Sequence, residues 1–156
     1  MSKSAARRDI ATIGYENATQ PDVIAALKAD GIKLLVDIRE APISRKAGFS
    51  KRVFAASLEE AGIAYLHVRA LGTPKAGRDA ARRGDKGTFH KIFAEQLASD
   101  AAQLALIDVM REAEKRPSCL LCYEEDPARC HRSIVADAMA QQGFAVHHLH
   151  VAPRFL

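Results

Sequence analysis

Cysteine is scarce in this sequence, with three residues in 156, at positions 119, 122 and 130. An odd number at irregular spacing excludes the multi-disulfide framework of a small secreted domain and suits a reducing compartment. Long apolar runs are missing as well. None reaches the length that spans a bilayer, and the opening stretch from Met1 to Asp9 lacks the hydrophobic segment of a signal peptide. The expectation is a cytoplasmic protein with no membrane partner. Neither Gly-x-Gly-x-x-Gly after the first strand nor Gly-x-x-x-x-Gly-Lys-Ser/Thr occurs, so dinucleotide and triphosphate cradles are unsupported and no cofactor is expected. Internal repeats, heptads and low-complexity segments are absent, which excludes solenoids and coiled coils.

What remains is ordinary for a compact protein. Apolar residues make up 48% and charged residues 27%, enough for one proper core but not for two. Residues 1–9 read as a flexible segment and 10–156 as one domain. The net charge of +4 is unevenly placed. Between Arg39 and Lys86 there are 11 Lys and Arg against five Asp and Glu, so that stretch carries +6 and the rest −2. Such a bias fits a phosphate-bearing small molecule or nucleic acid as partner, and equally a solvated basic surface.

Strand and helix signals alternate along the chain. Ile10 to Ile13 reads as a strand ending at Gly14-Tyr15. Thr19-Gln20-Pro21-Asp22 starts a helix with Val23, Ile24 and Leu27 inward, which Gly31 stops. Lys33 to Ile38 is the next strand. Ser50 caps a helix through Ala61 with Val53, Phe54 and Leu58 inward, and Ala64 to Val68 follows as a strand. Arg69 to Gly87 has no apolar period and reads as a long loop. Thr88 caps a helix carrying Phe89, Ile92, Phe93 and Leu97. Ser99 and Asp100 open another with Leu104, Ile107 and Met110 inward. Ser118 to Tyr123 is a buried strand, a helix starts at Pro127, and Val146 to Val151 ends the series. Five strands with helices between them predict an α/β fold, a three-layer Rossmann-like domain with a mostly parallel sheet.

In such sheets ligands lie beyond the carboxyl ends of the strands. Four stretches converge on that edge: Gly14 to Asn17 with Tyr15, Asp37 to Arg39, the start of the Arg69 loop, and Cys122 to Arg132. The last is the richest. Asp126-Pro127 reads as an N-cap with proline at the first helical position. At about 100° per residue, His131 then falls on the face shared with Ile134, Val135, Ala138 and Met139, with Cys130 and Arg132 on its flanks. A helix start there favours an anion. Cys130 is either a packed thiol or a nucleophile, and His131 either bonds a strand-end carbonyl or moves protons, with Glu124 near it.

Asp37 and Arg39 share one side of a strand, as a local ion pair or as ligand contacts. Arg45 could clamp a phosphate while Phe49 offers an aromatic surface to a base or anchors its loop. Several readings fail on spacing. Cys122 and Arg129 are too far apart, and too acidic between, for an oxyanion-binding phosphatase or rhodanese loop. Cys119 and Cys122, three apart on a strand, face opposite sides and cannot easily share zinc with Cys130 and His131. His147, His148 and His150 are explained by a solvated strand end, and no metal is expected.

The motifs Thr12-Ile13-Gly14-Tyr15, Val36-Asp37-Ile38-Arg39, Gly48-Phe49-Ser50, Leu71-Gly72-Thr73-Pro74, Leu121-Cys122-x-Glu124 and Cys130-His131-Arg132-Ser133 together resemble the family called domain of unknown function 488. The likeness runs from Ile10 onward and implies a compact α/β domain without an assigned reaction. Many members carry a small hydroxyl residue where Glu16 stands here. Three functions follow from the residues. The first is a phosphate-containing ligand held by Arg39, Arg45 and Arg132, with His131 and Glu124 moving protons. The second is a cysteine-dependent enzyme using Cys130 and His131. The third is a scaffold whose charge cluster is purely structural.

Overall fold

The computed structural model describes residues 7–152. The segment expected to be flexible, 1–9, lies outside the described residues up to residue 6, and Asp9 already belongs to a strand. Five strands form one parallel sheet: β1 (Asp9–Gly14), β2 (Leu34–Asp37), β3 (Ala64–His67), β4 (Ser118–Cys122) and β5 (Ala145–His148), in the order β3-β2-β4-β1-β5. The alternating α/β pattern with a mostly parallel sheet of five strands is therefore present, as a three-layer Rossmann-like arrangement.

Six helices connect the strands: α1 (Gln20–Ala29), α2 (Lys51–Glu60), α3 (Lys75–Arg82), α4 (Lys86–Ala98), α5 (Asp100–Lys115) and α6 (His131–Ala140). Crossovers toward the β3 edge use α1 and α2, and those toward the β5 edge use α4 to α6. The two sets cover opposite faces of the sheet, as a single crossover hand requires. Val23, Leu27, Phe54 and Leu58 pack on Ala11, Ile13, Leu35 and Leu121. On the other face Phe93, Leu106, Val109, Val135 and Met139 pack on Ile10, Leu34, Val36, Ile38 and Leu120. Alternation along β4 thus sends Cys119 to the α1–α2 side and Leu120 to the α6 side.

Several sequence expectations shift. The stretch from Arg69 to Gly87 is not an open loop: it holds a 3-10 turn (Arg69–Leu71), all of α3, and the start of α4, which Asp85 caps by accepting from the Thr88 amide. Helix α3 hides from apolar periodicity because its buried residues are Gly77 and Ala80. A Cβ on Gly77 would meet Thr73 Cγ2 and Ile92 Cγ2, so close helix approach replaces large side chains. On α5 the buried positions are Ala102, Leu106, Val109 and Ala113, while Leu104 and Ile107 face outward at 65% and 41% exposure. Two apolar stripes compete on that helix, and the one containing alanines fits against the sheet. Val53 on α2 also faces solvent.

The correction nearest the site concerns the helix expected from Pro127. Pro127–Arg129 is a 3-10 turn, capped by Asp126 through the Ala128 amide, and it ends at Cys130. Cys130 is extended, with φ −129° and ψ 149°, and α6 begins only at His131. The break makes Cys130 a helix N-cap.

Candidate functional site

The centre of the carboxyl edge is Arg132, a wholly buried side chain in the first turn of α6. Its Nε donates to Thr12 Oγ1 at 3.1 Å, Nη1 to Cys122 Sγ at 3.2 Å and to the Glu124 carbonyl, and Nη2 to the Glu125 carbonyl at 2.9 Å. One guanidinium therefore ties β1, the end of β4 and the loop beyond it to α6. Gly14 makes this closeness available, because a Cβ there would fall on the Glu124 carbonyl and 2.8 Å from Arg132 Nη1. Thr12 also meets His148 Nδ1 at 2.6 Å through its hydroxyl.

Cys130 caps α6 with sulfur in place of the usual oxygen, its Sγ accepting from the Arg132 amide at 3.5 Å. A sulfur there meets the positive end of the helix, which favours thiolate over thiol. The same sulfur is joined to Cys122 Sγ in a disulfide, and both residues are buried. Cys119 is a free, buried thiol on the opposite side of the sheet, and burial pushes its pKa up.

His131 turns inward beside Phe93, ring centroids 5.2 Å apart. Its Nε2 lies 2.8 Å from the Ile38 carbonyl, and Nδ1 lies 3.6 Å from Cys130 Sγ. A carbonyl only accepts, so Nε2 carries the proton and Nδ1 presents a lone pair to the sulfur. Burial pushes the His131 pKa down to about 4, and the Ile38 hydrogen bond opposes this only in part. The imidazole is thus neutral near pH 7, and a weak base while the disulfide is closed. A thiolate on Cys130 would favour the imidazolium and strengthen it as a base.

The second cluster lies on the α1–α2 side of the same edge. Arg39 Nε and Nη2 grip Asp37 at 2.9 and 2.7 Å, while Nη1 donates to Tyr15 Oη at 3.0 Å and to the Phe49 carbonyl at 2.7 Å. Asp37 is wholly buried and also accepts from Tyr65 Oη at 2.5 Å. Burial works against the Arg39 charge, but its bonds with Asp37 outweigh it and raise its pKa. Burial and the Asp37 contact likewise raise that of Tyr65. Phe49 is wholly buried and stacks on Tyr15 at 4.3 Å, so it anchors its loop and offers no face to a base.

At the rim, Glu124 is half-buried and its carboxyl is raised, first by burial and then by Glu16. Glu16 accepts from the Glu125 amide at 3.2 Å, so this residue locks the 123–125 loop. Arg45 is exposed on the loop before α2. His131, Cys130 and Arg132 therefore come together with Cys122, while Asp37, Arg39, Tyr15 and Phe49 form a separate knot. The two are bridged at the Ile38 backbone, whose carbonyl accepts from His131, and by Tyr15, whose amide donates to the Tyr123 carbonyl and whose ring meets Tyr123 edge-on. Sequence reasoning missed Cys122 as the partner of Cys130, and Thr12 and Tyr65 as anchors of the two arginine networks. The eight-residue spacing of the cysteines was visible, but pairing depends on the Asp126 turn folding Cys130 back onto β4.

Cys122 Sγ, Cys130 Sγ and a His131 ring nitrogen lie within 4.8 Å of one another, all on buried residues. No helix among the described residues is long and apolar enough to cross a membrane. No curated protein and no solved structure matches this chain. Residues 19–139, most of its length, match the family described as Domain of unknown function DUF488, and the chain belongs to that family.

Proposed function

We propose that the protein is a cysteine-dependent enzyme working by thiol–disulfide exchange, with Cys130 as the nucleophile and Cys122 as its disulfide partner. The observation that carries this reading is the Cys122–Cys130 disulfide at a helix N-cap, with an amide, an imidazole and a guanidinium each on one of the two sulfurs. In the forward direction the Cys130 thiolate attacks one sulfur of a substrate disulfide and expels the other as a thiolate, which takes up a proton. The Cys122 thiolate then attacks Cys130 Sγ, releasing the second substrate thiol and leaving the protein disulfide. The substrate gains two electrons and the protein loses two. Arg132 Nη1 is placed to stabilise Cys122 as thiolate, and the α6 amides do the same for Cys130. His131 Nδ1 receives the Cys130 proton once the disulfide is open. With Cys130 only 5% exposed, the substrate presents a small or narrow disulfide.

The test is the pH dependence of the reduced protein, followed by thiolate ultraviolet absorbance and by iodoacetamide labelling. A Cys130 thiolate forming well below the free-thiol value of about 8.5 is expected. A titration at or above that value rejects the proposal, and Cys130→Ser assigns the signal.

A second reading is a phosphate-bearing ligand, small molecule or nucleic acid. It is favoured by the exposed Arg45, although the groove beside it is mainly apolar, lined by Ala18, Pro21, Ala47 and Val53 with Thr19, Gln20 and Lys46, and Lys46 Nζ donates to the Glu16 carbonyl. Arg39 and Arg132 give it less support, because their guanidinium groups are held by internal acceptors. It calls for salt-sensitive binding of nucleotides or short single strands that Arg45→Ala weakens, and absence of binding at low salt removes it.

A further inference from the structure

We propose that in the dithiol state Cys122 Sγ, Cys130 Sγ and His131 Nδ1 bind a thiophilic metal ion, with Zn2+ as the fitting divalent cation. The inference rests on the reading above that the cysteine pair cycles between disulfide and dithiol. Metal and disulfide then exclude each other, since each sulfur must be a thiolate to act as a ligand.

Three observations carry it. The three donor atoms already converge within 4.8 Å on buried residues. With Zn–S of about 2.3 Å and Zn–N of about 2.0 Å, a tetrahedral ion holds its sulfur and nitrogen ligands roughly 3.5 Å apart. Cys130 Sγ and His131 Nδ1 stand 3.6 Å apart. The second observation is the far side of the imidazole. Metal-bound histidine characteristically donates its other ring N–H to a carbonyl or carboxylate, which fixes tautomer and orientation. His131 Nε2 does this with Ile38 at 2.8 Å, leaving the Nδ1 lone pair toward the sulfurs. Third, both sulfurs have N–H donors of the kind that surrounds thiolate ligands, Arg132 Nη1 on Cys122 at 3.2 Å and the Arg132 amide on Cys130 at 3.5 Å.

Cys119 takes no part, because it faces the other side of β4. Charge sets the character of the site. Two thiolates and a neutral imidazole balance a divalent ion, and the adjacent guanidinium then works against the cation. Binding is therefore weaker than at a closed four-ligand zinc centre, and three protein ligands leave one coordination position for water or substrate. Loading replaces two thiol protons by one Zn2+ and releases two protons to solution.

The experiment uses the full chain, reduced, desalted without oxygen and titrated with Co2+, then with Zn2+ in competition with a chromophoric chelator. One Co2+ per chain with a thiolate charge-transfer band is expected. Co2+ loading should release protons, Zn2+ should displace the Co2+ without further release, and the disulfide form should bind none. Cys119→Ser should leave the titration unchanged, while Cys122→Ser and His131→Asn should each weaken binding at least tenfold. The wild-type spectrum reads out thiolate ligation whether or not a variant folds. Parallel alkylation counts the thiols. Three thiols on reduction, clean reoxidation and no thiolate band would overturn the metal site and leave the exchange reaction standing. A pair that never forms a disulfide would overturn the exchange reaction. Equal loss of binding in Cys119→Ser would also overturn the site.

Discussion

His131 Nε2 donates to the carbonyl of Ile38 across 2.8 Å, joining the first turn of α6 to the end of β2. That bond holds the imidazole in one tautomer, with its free nitrogen toward Cys130. The start of α6, next to Cys130, and the segment from Asp37 to Arg39 at the end of β2 are connected through it.

A neutral buried histidine makes stability depend on pH. The His131 pKa falls from 6.5 to about 4 on folding, so its contribution is complete above pH 6.5 and is lost as pH falls toward 4. The span corresponds to roughly 3 kcal/mol. Urea unfolding of wild type and His131→Gln across this range checks it. The difference between the two should narrow as pH falls, and parallel curves would reject the assignment.

Arg132→Ala should destabilise the protein by about 3–5 kcal/mol, because buried acceptors on three segments lose their donor together. Arg132→Lys should recover only a minor part, since an ammonium cannot reproduce the fork that reaches Thr12, Cys122, Glu124 and Glu125. Denaturant midpoints of the two variants make the comparison.

Gly14→Ala tests the close approach of β1 to the Glu124 carbonyl. A loss of about 1–3 kcal/mol is expected from overpacking. Unchanged stability, measured by the same unfolding method, would mean that the 123–125 loop yields.

For the Asp37 knot the expectation is structural. Asp37→Ala strands the Arg39 charge in a buried site and should cost about 3–5 kcal/mol. Tyr65→Phe removes one hydrogen bond to the same carboxylate and should cost about 1.5–3 kcal/mol. If Tyr65→Phe also leaves the Cys130 titration unmoved, the two clusters act independently.

The layer order was legible because strand residues such as Leu34 to Val36 and Leu120 to Leu121 are apolar on both sides, the mark of a covered parallel sheet. Helix α3 was not, since Gly77 and Ala80 carry its packing and leave no hydrophobic period. At the carboxyl edge, residue identities alone brought Cys130, His131 and Arg132 together, and the alternation of β4 put Cys119 on the far side. The pairing of Cys122 with Cys130 was hidden because it depends on a turn ending at an extended Cys130, whereas Asp126-Pro127 reads locally as the start of one continuous helix. The role of Arg39 was equally hidden. Nothing in Asp37-Ile38-Arg39 tells an internal clamp from a ligand contact until Tyr15 and Phe49 are in place.

The central claim, a reversible Cys122–Cys130 couple, is tested most directly by intact mass after denaturing alkylation of protein equilibrated in graded dithiothreitol redox mixtures. One two-electron transition is expected, from three labels on the reducing side to a single label on Cys119, with Cys122 linked to Cys130. Three labels in every mixture, or Cys119 in the disulfide, would contradict it.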